Sequence, residues 1–170
     1  KIMIFVTVGT HEQPFNRLIE EIDRLRQEGV ITDEVQMQTG YCTYEPKYCK
    51  WETFFPYKKM QELVQKADIV ITHGGPSSFI MPLQYGKIPI VVPRQAKYQE
   101  HINDHQLEFV HAVEERQKNI IGVYEIGDLE SVIKNYKEIA ESRNLSGTSN
   151  NQKFNEEFSR IVEECMKEKL

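Results

Sequence analysis

Ala67-Asp68-Ile69-Val70-Ile71-Thr72-His73-Gly74-Gly75-Pro76-Ser77-Ser78 is the stretch on which the fold turns. Asp68 to Thr72 is a short β-favouring run of the kind that fills a strand buried on both faces. It empties directly into two glycines, which permit close backbone approach, and two serines placed where the N–H groups of a following helix lack partners. A diphosphate can lie across such a turn, held by backbone N–H groups, Ser hydroxyls and the positive end of the helix. A tight strand-to-helix turn capped by serine accounts for the same residues equally well. Pro82 either sits in the first turn of a helix that begins near Ile80 or kinks a longer one.

The same grammar repeats on both sides. Ile2 to Val8 is a second β run, apolar apart from Thr7 and closed by Gly9. Phe15, Leu18, Ile19, Ile22 and Leu25 recur at helical spacing, with Pro14 suited to the first turn and Gly29 to the end. Glu34–Thr39 and Trp51–Phe55 read as strands, and Met60, Leu63, Val64 and Ala67 as a helix. Ile88–Val92, closed by Pro93, and Ile120–Tyr124 are further strands. Ile102, Gln106, Phe109, Val110 and Val113 mark one more helix, and Leu129, Val132, Ile133 and Tyr136 another. Strands alternating with helices pair in parallel through right-handed crossovers. The expected fold is an open, doubly wound, Rossmann-like α/β domain over residues 1–143. Its ligand belongs at the carboxyl ends of the strands, in the loops after Val8, Phe55, Thr72 and Val92. Residues 144–152, rich in Asn, Ser, Gly and Thr, read as a linker. Residues 153–170 read as an amphipathic helix whose stripe of Phe154, Phe158, Ile161, Val162 and Cys165 either packs back on the domain or docks a partner.

Composition sets the outer limits. A chain of 170 residues and 20.0 kDa suits one domain with a short appendage. With 39% hydrophobic and 28% charged residues it is neither collagen-like, disordered nor a disulfide scaffold. A net charge of -5 argues against a broad basic face for nucleic acid. No apolar run reaches the roughly 18 residues that span a bilayer. The opening Lys1-Ile2-Met3-Ile4 does not read as a signal peptide, and an initiator Met is expected before it. Three cysteines, Cys42, Cys49 and Cys165, fit reduced thiols in a cytosolic compartment better than a disulfide framework.

Chemistry concentrates in a few segments. Val8-Gly9-Thr10-His11 is a second loop suited to anions, with a glycine, a hydroxyl and a following helix. Two such loops on one sheet edge favour a nucleotide. Pro93 to Gln106 is dense in side chains that hydrogen-bond hydroxyls, and Arg94 can offset phosphate charge; the competing reading is a polar loop before an amphipathic helix. His101 and His105 are four apart and His111 lies beyond, but no His-Glu-x-x-His pattern is present, so no metal is expected. Asp-x-Asp, Gly-x-x-x-x-Gly-Lys-Ser/Thr, Gly-x-Ser-x-Gly and Cys-x-x-Cys are all missing. Tyr41, Tyr44, Tyr48 and Trp51 crowd one loop with Cys42 and Cys49. They form either an acceptor-facing lip or, as the favoured reading, a loop folded on its own aromatic side chains.

Three strings together carry a family likeness. Ile4-Phe5-Val6-Thr7-Val8-Gly9-Thr10, the Ala67 to Gly75 turn, and Gly86-Lys87-Ile88-Pro89-Ile90-Val91-Val92-Pro93-Arg94 followed by Glu100-His101 and Gln106 resemble the donor-binding C-terminal domain of glycosyltransferase family 28, over about residues 2–140. The chain looks most like the stand-alone small catalytic subunits of split glycosyltransferases. The string Val8-Gly9-Thr10-His11-Glu12-Gln13-Pro14-Phe15 is most similar to bacterial members acting in capsule and exopolysaccharide synthesis. The resemblance implies half of a GT-B enzyme and inverting transfer from a UDP-sugar to a lipid-linked glycan, with no cofactor. It puts Phe55, Tyr57 and Met60 by the uracil. It puts the turn of His73, Gly74, Gly75, Pro76, Ser77 and Ser78 around the diphosphate, and Glu100 and His101 near the donor sugar; the residues' own chemistry adds Gly9, Thr10, Arg94 and Gln95 to the expected donor-binding set. Many relatives carry a Glu for the ribose at the position of Met81; this chain does not.

A GT-B active site lies between two such domains, and one chain supplies one. The resemblance therefore implies a membrane-anchored, acceptor-binding partner, and the C-terminal stripe with Phe154, Phe158, Ile161 and Val162 is the candidate for docking it. It also implies a cytoplasmic location, peripheral at the inner face of the membrane, and self-association of the isolated chain is a further option. The base is His11 or Glu12 in this chain, or a group of the partner. Two other readings stay open: a non-catalytic UDP-sugar-binding or regulatory subunit, and a nucleotide-sugar epimerase-like protein.

Overall fold

The computed structural model describes residues 2–143 and, near the C-terminus, Glu156, Ser159, Arg160, Ile161 and Glu163. Six short strands alternate with helices: β1 (Met3–Thr7), α1 (Asn16–Gln27), β2 (Glu34–Gln38), β3 (Lys50–Glu52), α2 (Tyr57–Lys66), β4 (Ile69–His73), α3 (Pro76–Gln84), β5 (Ile90–Val92), α4 (His105–Gln117), β6 (Ile121–Gly122), α5 (Leu129–Lys134) and α6 (Tyr136–Glu141). They form one parallel sheet in the order β3-β2-β1-β4-β5-β6. The chain reverses direction across the sheet between β1 and β4, which pair with Thr7 opposite Thr72. The loops after these two strands therefore leave the sheet edge side by side, at the crevice where doubly wound sheets bind ligands.

Period-two alternation sorts the side chains onto two faces. Ile4, Val6 and Val8, Ile69 and Ile71, and Ile90 and Val92 point to one side. There they pack with Leu18, Ile19, Ile22 and Leu25 of α1 and with Leu129 at the start of α5. Phe5 and Val70 point to the other, against Leu63 and Val64 of α2. Val91 joins Phe79 and Leu83 of α3 and Phe109, Val110 and Val113 of α4 on that same side. Layers on both faces explain why these strands carry almost unbroken apolar runs.

Local departures from the sequence pattern have visible causes. α1 starts after Phe15, so Pro14 precedes the helix rather than occupying its first turn. α3 starts at Pro76, not near Ile80, and Pro82 lies inside it. A proline at N1 suits a helix start, since the missing N–H had no partner there to lose. Ile102 is 80% exposed and precedes α4 instead of joining its buried stripe. The last helical pattern is broken at Asn135 into α5 and α6.

The proposed linker, along with Phe154, Phe158, Val162 and Cys165, falls outside the described residues. Ile161 is described, and it corrects the expected docking stripe at that position. It is 1% exposed and packed with Phe79, Leu83 and Val110, so the domain itself covers it. No helix among the described residues is long and apolar enough to cross a membrane.

Candidate functional site

His73, the last residue of β4, is the centre around which the site is built. Its ring fills the gap between the two Gly loops so closely that neither tolerates a Cβ. One added at Gly9 would lie 2.2 Å from His73 Nε2, and one at Gly75 would lie 2.3 Å from Cε1. Gly9 also has φ +75°, where a side chain is strained in its own right. The two turns expected to share a sheet edge therefore meet across one imidazole.

That imidazole is tied at both nitrogens. Nε2 lies 2.9 Å from Ser78 Oγ, and Nδ1 accepts the Gly75 N–H at 3.3 Å and lies 3.4 Å from Gln106 Nε2. Burial, helped by the positive charge of Arg94, pushes its pKa down to about 3, so the ring is neutral at physiological pH.

A cleft of about 750 Å³ opens beside it. One end is lined by Gly9, Thr10, His11, His73, Ser77 and Ser78, and the other by Phe55, Tyr57, Met60, Val64, Ile80 and Met81. The polar end offers donors. Among the described residues, the Ser77 and Thr10 N–H groups and the Ser77 hydroxyl have no partner. The Gly74 and Gly75 amides are not available in the same way. Gly74 N–H donates to Gln106 Oε1 at 3.1 Å, Gly75 N–H to His73, and Ser78 N–H back to the Gly75 carbonyl. Gly74 and Gly75 thus shape the turn, Pro76 starts the helix, and the serines line the cleft.

Three expected donor-site residues, Arg94, Gln95 and Glu100, lie elsewhere. Arg94 is 1% exposed, and its guanidinium donates to the carbonyls of Val8, Gln13 and Glu100. Burial lowers its pKa to about 10 without removing its charge. It staples the loop after β1 to the loop after β5 and does not line the cleft. Glu100 is buried in a two-pronged ion pair with Arg17, at 2.9 and 3.0 Å, and accepts the Gln95 N–H. Gln95 is buried and donates to the Tyr124 carbonyl. The polar density of this segment therefore serves its own fold. His101 stacks on His11 at the cleft mouth, with ring centroids 4.4 Å apart. It precedes α4, so it shares no helix face with His105. No group of three or more metal-ligating side chains comes together among the described residues.

His11 is oriented by Gln13. The Gln13 amide nitrogen donates to the Gln99 carbonyl, which turns its oxygen toward His11 Nε2 at 3.0 Å. His11 then carries its proton on Nε2 and a lone pair on Nδ1. Glu12 is exposed and does not line the cleft.

Sequence reasoning missed Thr7 and Gln38. Gln38 accepts the Phe55 N–H at 2.8 Å and donates to Thr7 Oγ1, which also accepts the Gly9 N–H. One buried pair thus sets both ends of the cleft floor. The available signal was a polar residue ending each of two neighbouring strands.

The aromatic loop follows its favoured reading. Buried Asp23 of α1 accepts bonds from the Tyr44 hydroxyl and from the amides of Lys47 and Tyr48. The Asp23 bond raises the Tyr44 hydroxyl to about 12. Cys42 and Cys49 are free thiols. A second groove of about 650 Å³ runs along α1, but its lining includes Arg17–Glu100 and Arg24–Glu21, which pair with one another.

Comparisons with known proteins identify the family and the fold. The model of the glycosyltransferase family 28 C-terminal domain matches residues 3–165. UDP-N-acetylglucosamine transferase subunit ALG13 of Homo sapiens is 37% identical over 114 residues, covering 62% of this chain and 10% of that protein. Its Mus musculus counterpart is 34% identical over 113 residues, covering 61% and 9%. The chain thus spans about a tenth of the length of these curated relatives. Among solved structures, the NMR solution structure of ALG13 superposes with a TM-score of 0.58 at 15% identity, covering 95% of this chain and 94% of that one. The glycosyltransferase SnogD from Streptomyces nogalater superposes at 0.53 and 18% identity, covering 97% of this chain and 44% of that one. At such identities the likeness is one of fold.

Proposed function

The chain belongs to the glycosyltransferase family 28 C-terminal domain family and has the fold of one half of a GT-B enzyme, and on that premise we propose that it is the donor-binding, catalytic subunit of a two-component inverting transferase. Its donor is a UDP-sugar and its acceptor a lipid-linked glycan, in capsular or exopolysaccharide synthesis. The observation that carries this reading is the meeting of two donor-bearing loops across His73, beside a cleft also lined by Phe55, Met60, Val64, Ile80 and Met81. The cleft volume of about 750 Å³ suits a nucleotide-sized ligand. The diphosphate lies against Thr10, Ser77 and Ser78, and the uridine runs along Phe55, Tyr57 and Met60. Met81 offers no hydrogen bond to the ribose. Gln84, exposed on the same helix and lining the same cleft, is six residues beyond Ser78, about 9 Å along the axis, and gives its amide to the ribose hydroxyls instead.

In the transfer step the acceptor oxygen bonds to the anomeric carbon as the bond to the diphosphate oxygen breaks on the opposite face. The electron pair leaves on the diphosphate, where Ser77 N–H, the Ser hydroxyls and the positive end of α3 meet it. The acceptor proton goes to a base. His11 Nδ1 is the group in this chain that has the lone pair and the position, and a partner residue is the other source. No cofactor enters the scheme. The acceptor-binding half is a membrane-anchored partner that closes over the cleft mouth and holds this subunit at the cytoplasmic face. Two facts support a partner: the human relative is named as a transferase subunit, and this fold covers under half of SnogD.

Titration calorimetry with the full chain tests the donor assignment. UDP is expected to bind in the micromolar range and at least tenfold more tightly than ADP. Binding no tighter than ADP, or none below millimolar, would refute it. Met81 in place of a carboxylate favours a second reading, a non-catalytic donor-loading subunit. Full activity of both His11→Ala and Glu12→Ala in the reconstituted pair would favour that one.

A further inference from the structure

We propose that Gln106 is a positioning residue that locks the His73 ring in a single tautomer, and that this lock turns the Ser78 hydroxyl proton toward the anion bound at the head of α3. The proposal deepens the donor-site reading and rests on it for the identity of the anion. The lock itself does not depend on it.

The argument begins with two backbone donors. Gly74 N–H and Arg94 N–H both point at one atom of the Gln106 amide, each at 3.1 Å. Two N–H groups require an acceptor, so that atom is the oxygen. The Gln106 NH₂ group is thereby turned to His73 Nδ1, 3.4 Å away. Gly75 N–H points at the same nitrogen at 3.3 Å. With two donors facing it, Nδ1 must carry the lone pair, and the ring proton resides on Nε2. Nε2–H then donates to Ser78 Oγ at 2.9 Å.

A hydroxyl that accepts this bond keeps its own proton for another acceptor. Among the described residues no acceptor for it is present, and Ser78 lines the cleft. The opposite tautomer would set an N–H against two N–H donors and would draw the Ser78 proton back to Nε2. Ring reversal is resisted as well, because Gly9 and Gly75 pack so tightly against the imidazole. Gln106 touches neither the cleft nor the ligand. It acts from α4, which it also joins to the turn after β5 through Arg94 N–H.

Gln106→Glu tests the lock with a side chain of nearly the same shape. One carboxylate oxygen still serves Gly74 and Arg94, while the other faces Nδ1 and calls for a proton there. Nitrogen-15 spectra of the His73 imidazole are recorded on the ligand-free full chain. The wild type is expected to show Nε2–H alone, and the variant to show a proton on Nδ1. A wild-type ring protonated on Nδ1, or an unchanged spectrum in the variant, would overturn the proposal. Calorimetry reads the consequence: Gln106→Glu should weaken UDP about tenfold and leave uridine unchanged. Equal loss for both ligands would mean a merely structural role. Ser78→Ala, which keeps Gln106, should reproduce the tenfold UDP loss while His73 stays Nε2–H. A Ser78→Ala protein that binds UDP as well as wild type would also overturn the proposal. If folded wild-type chain binds no UDP, the donor-site reading falls, and the spectra alone decide the lock.

Discussion

At the scale of single residues, Arg94 and His73 show how differently burial treats two groups that the sequence places near an anion. A guanidinium beside a Gly/Ser-bearing sheet edge reads as a phosphate ligand, because only charge and chain position are visible. In the fold three backbone carbonyls claim it, and those carbonyls come from residues 8, 13 and 100, a convergence no local pattern announces. His73, by contrast, is legible as a site residue, and in the fold its ring is held between Gly9 and Gly75 and bonded to Ser78. Its neutrality carries a pH signature. The unfolded chain takes up that proton from pH 6.5 downward, the folded chain only near pH 3. Between these values unfolding binds a proton, so stability is full above the upper limit and falls as pH drops. The steepest loss is about 1.4 kcal/mol per pH unit. In urea titrations from pH 7 to 5, the stability of wild type should fall relative to that of His73→Gln. Parallel profiles would remove the buried neutral imidazole from the account.

At the scale of elements, β1 and β4 are readable because burial on both faces leaves their runs apolar up to the polar residues that end them, and α1 because its one buried face carries apolar residues at helical spacing. β3 and β6, three and two residues long, are less so, since an edge strand is fixed by its neighbour's register more than by its own residues. The ends of helices are the least legible. α2 stops where Lys87, far along the chain, donates to the carbonyls of Val64, Gln65 and Ala67. This one ammonium satisfies the orphan acceptors of the last turn and complements the helix dipole. Lys87→Met should cost about 1.5 kcal/mol, measured as a lower urea midpoint with an unchanged slope. α2 carries Tyr57 and Met60, so the variant should also bind UDP less tightly. A stability within about 0.3 kcal/mol of wild type would show that the cap is idle.

At the scale of the whole molecule, large exposed apolar side chains gather at one end. Tyr41, Tyr48, Phe54, Tyr57, Tyr98 and Ile102 all lie in segments that follow the carboxyl ends of strands, with Ile2 the exception, and Tyr57 lines the cleft itself. Such a cluster marks a surface that meets something. Under the proposed pairing it faces the acceptor-binding half. Ile102→Asp should leave folding and UDP affinity unchanged and lower transfer by the reconstituted pair at least fivefold. Undiminished transfer would place the partner elsewhere. Ile161→Asp, an obvious probe from sequence, should instead unfold the C-terminal packing, because its side chain is already covered. The Arg94 staple has a kinetic corollary. Since one cation grips both flanks of the mouth before anything arrives, docking a nucleotide there forfeits little chain entropy. Under the proposed pairing, the cycle's slow movement then falls to the approach and departure of the second polypeptide, and the cradle itself behaves as a preset mould.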